Sequence, residues 1–310
     1  MGLRASIDLG TNTCLLLIAE CDEKGQVKQV LSDHSTIVRL GEGVDRTREL
    51  GPAAIERTAS CLRGYADICR AAGVKPEAVV CVGTSSSRDA RNGARFYTRI
   101  ESETGFRFRV LSGDEEAKYT FLGGLLPGVE PDSAAVIDIG GGSTELITSS
   151  GGLSLDIGSV RFTERYLKTD PVTDGEFWAC EQAIDRMLGD ASGPASARLW
   201  REKNASISVL IAVAGTATTL AAWHLGLARF DARAIDECRL TRGDVHRQVE
   251  ELKWRSHAER AKLPGVDRGR ADVLLAGALI LWRSMELLEF PEVRISTRGL
   301  RFGILSLPSN

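Results

Sequence analysis

Apolar residues along this chain follow two rhythms that take turns. Short apolar runs predict strands over Ala5–Ile7, Leu15–Ala19, Val27–Thr36, Val79–Val82 and Phe108–Leu111. A second set falls at Ala134–Asp138, Glu145–Thr148, Leu153–Ile157, Ile207–Val213 and Val293–Ser296. Between them, apolar residues spaced three and four apart predict helices over Pro52–Ala72, Asp89–Thr104, Glu115–Leu126 and Asp174–Leu188. Three more are expected over Thr216–Leu227, Arg242–Leu252 and Asp272–Leu288. Strands and helices in alternation make an α/β protein. The stretch "LLPGVEPDS" (Leu125–Ser133) places two prolines and a glycine between a helix and a strand, which suits a junction. Residues 1–125 and 126–299 are therefore expected as two domains, as the length of 310 residues also favours.

One layout occurs twice. "DLGTNTCLLLI" (Asp8–Ile18) and "DIGGGSTELIT" (Asp138–Thr148) lie 130 residues apart. Each has an apolar strand ending in Asp, an apolar residue and Gly, small or polar turn residues, and a second apolar strand. Each opens a domain, which points to a duplicated fold.

Composition narrows the classes. A net charge of −3 gives no global reason to bind nucleic acid or an acidic membrane surface. The apolar run Val273–Trp282 is shorter than the ~20 residues a bilayer span needs. The first twenty residues lack the ordered regions of a signal peptide. Seven cysteines include no CxxC pair, so neither a zinc site nor a disulfide framework is expected, and the chain reads as cytoplasmic.

The duplicated turns carry the candidate chemistry. A tight turn of small residues presents several N–H groups on one side, an anion-binding concavity. Gly140, Gly141 and Gly142 remove side chains that would hold an anion off, and Ser143 adds a hydroxyl. Thr11, Asn12 and Thr13 are their counterparts. Either these turns bind phosphate, or the glycines serve a hairpin that needs positive φ. Asp8 and Asp138 close apolar strands, where a carboxylate needs water, a donor or a cation. They either ligate Mg²⁺ beside phosphate or cap turns. Glu145 is sharper, because Leu15 stands at its place in the first copy. It is a metal ligand, a water-orienting group or a base, or else a solvent-facing edge residue.

In "LSGDEEA", Ser112 and Glu115 form a capping box that starts a helix at Gly113. Glu115 then has a structural task and Glu116 has none. Near the helix amino end the dipole favours ionised Glu116, fit to accept a proton from water; the alternative is an ordinary first-turn acid. Gly215 and Thr216 open a helix after a strand and could hold an anion there. "GTSSSRD" with Arg88, and "DIGSVRF" with Arg161, extend the pattern and add guanidinium groups for phosphate.

These residues resemble the exopolyphosphatase/guanosine pentaphosphate phosphatase (Ppx/GppA) family, in its short two-domain form. That family is a branch of the duplicated actin-like, sugar-kinase and Hsp70 ATPase superfold. The resemblance runs nearly end to end, through "IDLGTNTCLLLI", "VRLGEGV", "VGTSSSRDARN", "LSGDEEA", "VIDIGGGSTELI", "GSVRFTERYL", "VAGTATTLAA", "GRADVLLAGALIL" and "STRGLRFGIL". It implies two actin-like domains flanking a cleft, with residues 300–310 returning as a helix onto the first. It implies Mg²⁺ or Mn²⁺, a homodimer, and attack of water on a terminal phosphoryl group. It places catalysis on Glu116 and Glu145, metal on Asp138, Glu145 and Asp8, and a substrate contact on Arg88. Ser86 stands where the family usually has Ala. Long members carry a further helical domain outside the resemblance, so short polyphosphate is the expected substrate.

The expected function is an exopolyphosphatase that releases orthophosphate from the end of polyphosphate. Guanosine pentaphosphate 5'-phosphohydrolase is the alternative, because both substrates end in the same anhydride. A kinase of the same superfold, or a non-catalytic polyphosphate or alarmone sensor, is the remoter alternative. No nucleic acid or membrane partner is expected.

Overall fold

Alternation within β1 (Gly2–Leu9) decides how the first sheet is covered. Ala5, Ile7 and Leu9 share one face and pack with Leu62, Phe96 and Ile100. Ser6, turned the other way, is fully buried and donates to the carbonyl of Arg301 at 2.6 Å. This computed structural model describes residues 2–23, 25–189 and 197–307. Its first sheet has the order β3-β2-β1-β4-β5, with β2 at Thr13–Cys21, β3 at Val27–Ile37, β4 at Val79–Gly83 and β5 at Phe108–Val110. The helices here are α1 (Val44–Thr47), α2 (Pro52–Ala71), α3 (Ser85–Asp89), α4 (Gly93–Thr104) and α5 (Gly113–Gly124). Pro52 sits at the start of α2, where its missing N–H leaves no bond unmade.

The second sheet has the order β10-β11-β9-β6-β7-β8. Its strands are β6 (Ala134–Ile139), β7 (Thr144–Thr148), β8 (Gly151–Leu155), β9 (Val209–Val213), β10 (Arg239–Thr241) and β11 (Glu292–Ile295). Around it lie α6 (Ser159–Tyr166), α7 (Asp174–Gly189), α8 (Ala197–Lys203), α9 (Ala214–His224), α10 (Ala232–Asp236), α11 (Arg242–Lys253), α12 (His257–Arg260) and α13 (Leu274–Leu287). α13 is the central core helix, with Leu274–Leu281 all buried. A last helix, α14 (Leu300–Gly303), belongs to the first sheet's unit. Its neighbours Ile304 and Leu305 pack on the face of that sheet opposite Ile7, against Val80, Val82, Leu17 and Ala19. Arg301 forms two bonds to Asp33 of β3, at 3.0 and 2.8 Å.

The chain divides into two compact units, Met1–Gly123 with Leu300–Asn310, and Gly124–Gly299. Each repeats one plan: β1 pairs antiparallel with β2 and parallel with β4, and β6 pairs antiparallel with β7 and parallel with β9.

Three local expectations change. The helix expected over Asp89–Thr104 is broken: Ala90 is extended, and the side chain of Asn92 bonds both the N–H and the carbonyl of Leu50, at 2.8 and 3.0 Å. No helix was expected over Ser159–Tyr166, where α6 opens directly after Gly158. β10, only three residues long, was too short to show a rhythm. Among the described residues no helix is long and apolar enough to cross a membrane.

Candidate active site

Both hairpin turns close with the same bond, Gly10 N–H to Thr13 O at 2.9 Å and Gly140 N–H to Ser143 O at 3.0 Å. Neither Gly10 nor Gly140 takes a left-handed φ, so the positive-φ reading fails there. The need is for close approach. In the first turn, Thr11 O accepts from Gly41 N–H at 2.8 Å, and Asn12 O accepts from Val38 and Arg39 at 2.9 and 3.0 Å. In the second, Gly140 O accepts from Ser159 N–H at 2.9 Å, and Gly141 O from Val160 and Arg161 at 2.9 and 3.0 Å. The carbonyls of each turn are thus held inward, and the amide edge is the one suited to an anion.

That bracing requires two further glycines. A Cβ on Gly41 would stand 2.2 Å from Thr11 Cγ2, and one on Gly158 would stand 2.4 Å from Gly141 O. Because the second obstacle is backbone, Gly158→Ala is expected to destabilise the protein by about 1–3 kcal/mol. The denaturant midpoint checks this; an unchanged midpoint would mean the hairpin yields freely. Arg161, read as an arginine for phosphate, is buried and donates its Nε to Gly142 O at 2.6 Å. The amides of Ser159 to Arg161 likewise serve the hairpin, so α6 braces the turn.

The carboxylate pair comes from register. Asp138 on β6 and Glu145 on β7 are direct cross-strand partners, so their side chains leave the same face about 5 Å apart at Cβ. Glu145 is 1% exposed and accepts a 2.8 Å bond from Ser154, its partner on β8. The solvent-facing alternative for Glu145 is therefore ruled out. In the first hairpin, Asp8 faces Leu15 at the matching position. Among the described residues no group of three or more His, Cys, Asp or Glu could hold a metal by itself. Two adjacent carboxylates still fit the kind of cation that takes one or two protein acids and completes its shell with water and phosphate.

In the first unit, Ser112 and Glu115 form the expected reciprocal cap, at 3.0 and 3.2 Å. Glu116 is buried and accepts from Arg88 Nη1 at 2.6 Å; Arg88 also donates to Leu111 O at 2.9 Å. Burial pushes the Glu116 pKa above the usual glutamate range, and Arg88 pulls against it. Desolvation is the larger of the two influences, so the net direction is upward.

Asp8 is pushed up to about 7 by burial, then by the charge of Glu116, with Arg301 opposing. Its folded pKa lies above its unfolded one, so folding loses stability as pH rises from about 4 towards 7 and stays penalised above that. Asp8→Asn removes the penalty. It is expected to stabilise the protein by about 1–3 kcal/mol at pH 8, after allowing for the side chain's partial exposure, with the gain vanishing near pH 4. Thermal melts at the two pH values test the sign.

Thr11 Oγ1 lies 2.9 Å from Ser85 Oγ, joining the first turn to the start of α3. Gly215 and Thr216 lie at the start of α9 as expected, but Thr216's side chain is seated on α13, 2.5 Å from where a Gly277 Cβ would be. Two features there escaped sequence reading. Ala214 holds a left-handed φ of 66°, a strained geometry for a residue with a Cβ. The guanidinium of Arg270 lies on Gly215, with Nη1 only 1.5 Å from a hypothetical Cβ. Burial pulls the Arg270 pKa down, opposed by Asp267. Asp267 is an acid that offsets a cation placed at the positive end of this helix. Nothing in "GRAD" separates this arginine from a surface one.

Residues 17–307 match the model of the Ppx/GppA phosphatase family. The chain belongs to that family. Among Ppx/GppA relatives, Exopolyphosphatase 2 of Mycobacterium tuberculosis is 33% identical over 290 residues, covering 89% of this chain and 88% of that protein. The bifunctional 3-dehydroquinate synthase/phosphatase of Fusobacterium nucleatum is 31% identical over 290 residues; the match covers 90% of this chain and 42% of that protein. The crystal structure of an exopolyphosphatase-like protein superposes with a TM-score of 0.86 at 29% identity, covering 98% of both chains. A Ppx/GppA family member from Aquifex aeolicus gives 0.74 at 28%, covering 98% of this chain and 96% of that one. The duplicated actin-like α/β fold expected from the sequence is the one these proteins share with this chain.

Proposed function

We propose that this Ppx/GppA family member is an exopolyphosphatase that favours short chains. The observation that carries the reading is the cross-strand pair of Asp138 and Glu145, set against Asp8 and Leu15 in the other copy. A buried acid stands in one hairpin where its twin has Leu15, so the shared strand pairing does not itself call for a carboxylate there.

Glu116, held by Arg88, accepts the proton of the attacking water. The water oxygen bonds to the terminal phosphorus, the anhydride bond to the bridging oxygen breaks, and the shortened chain leaves with that oxygen. The amide edges of Thr11 to Thr13 and of Gly140 to Ser143, with Arg88, bind phosphate oxygens. Gly215 and the Thr216 amide extend the binding set. Asp138 and Glu145, cross-strand partners on β6 and β7, would hold Mg²⁺ or Mn²⁺, which when bound neutralises charge on the phosphates. Phosphoryl transfer depends mainly on such alignment and charge stabilisation.

Arg270 favours a second reading, guanosine pentaphosphate 5'-phosphohydrolase. A guanidinium at the start of α9 suits an anion distinct from the cleaved end. Phosphate release measured side by side on short polyphosphate, long polyphosphate and guanosine pentaphosphate separates the readings. Short polyphosphate is expected to be fastest. Release only from the nucleotide would favour the second reading. ADP formed only with an acceptor would indicate a kinase, and calorimetric binding without release a sensor.

A further inference from the structure

All seven cysteines are free thiols, and Cys61 is the one that is not buried. It lies on α2, four residues before Tyr65 and so on the same helix face. The Tyr65 hydroxyl donates to Cys14 O at 2.9 Å and lies 2.9 Å from Thr36 Oγ1. Thr36 is the β3 residue paired with Cys14. These bonds pin α2 over Cys14, and Cys61, one turn before Tyr65, packs against the apolar cluster that contains Cys14. Cys14, fully buried, pairs with Leu9 at the base of the first turn, directly after Thr13.

We propose that Cys14 and Cys61 form a hydroperoxide-responsive dithiol whose disulfide reversibly slows the enzyme. The site has the parts such chemistry needs: a part-exposed attacking thiol and a buried resolving thiol packed in the same cluster. The Cys14 hydrogen bond holds Cys61 down to about 7, against its burial, so much of it is thiolate near neutral pH. Burial pushes the Cys14 thiol well above its ordinary range, so it waits as the resolving partner.

The Cys61 thiolate attacks a peroxide oxygen; the S–O bond forms, the O–O bond breaks and hydroxide or alkoxide leaves with a proton from solvent. Cys14 sulfur then attacks Cys61 sulfur, the S–S bond forms, and the S–O oxygen leaves as water with the Cys14 proton. Two thiols are oxidised and one hydroperoxide is reduced. A disulfide of about 2.05 Å is shorter than any non-bonded contact between two sulfurs, so Cys14 is drawn towards α2. Thr11 to Thr13 move with it. The effect on rate rests on the exopolyphosphatase reading; the linkage does not.

The reduced protein is treated with hydrogen peroxide, its peptides are mapped without reduction, and phosphate release from short polyphosphate is followed. A Cys14–Cys61 linked peptide is expected, with a rate on the order of 10- to 100-fold lower, restored by dithiothreitol. Cys61→Ser is expected to keep the parental reduced rate and to ignore peroxide. The proposal is overturned by the absence of the linked peptide, by Cys61 sulfinic acid forming in its place, or by linkage without loss of rate. If the reduced protein releases no phosphate, the exopolyphosphatase reading fails separately. The dithiol is then judged by the linked peptide and by weaker calorimetric binding of short polyphosphate after oxidation; unchanged binding overturns it.

Discussion

Glu116→Gln is expected to lower kcat on short polyphosphate on the order of 10²- to 10⁴-fold, the usual worth of a positioned base. Glutamine keeps the shape and can still accept from Arg88 through its carbonyl, so the melting temperature and calorimetric substrate binding should hold or improve. A variant that works at the parental rate would remove Glu116 from the mechanism. The parent should also show an acid limb. Only ionised Glu116 can take a proton, and burial has raised its pKa, so activity is lost as pH falls through a midpoint above the ordinary glutamate value. Arg88 opposes that rise, so Arg88→Gln should move the limb to still higher pH. A limb that stays put would mean that another group controls it.

Glu145→Leu has the second large effect, and the fold supplies its own control. Leu15 already occupies the matching position of the first hairpin, opposite Asp8, in a strand with the same pairing. The substitution should therefore leave the sheet intact and be neutral or stabilising by about 1 kcal/mol, because a buried acid gives way to a packed side chain. Phosphate release should fall on the order of 100-fold or more, with a stronger demand for Mg²⁺. Loss of both fold and activity would assign Glu145 a structural task. Parental activity would end its candidacy as a ligand or base.

Much of this was legible because it rests on local chemistry. The hairpin echo, the Ser112–Glu115 cap and the odd acid in β7 depend on neighbours a few residues away, and the structure shows each of these local arrangements. What stayed hidden depends on distant partners. Asn92 breaks a helix because it reaches Leu50, and Arg161 is bound to a carbonyl of the glycine turn. Arg270 meets Gly215 across 55 residues of chain, and no rhythm records such a meeting. The upward shift of Glu116 was hidden for the same reason: helix position can be read from sequence, whereas burial is set by the packed neighbours.

The return of Leu300, Ile304 and Leu305 to the first sheet sets an order on synthesis. Until these residues leave the ribosome, Val80, Val82, Leu17 and Ala19 have nothing apolar from that segment to cover them, and Ser6 lacks its carbonyl partner. The stretch translated first is thus completed last, after the whole of Gly124–Gly299 has emerged.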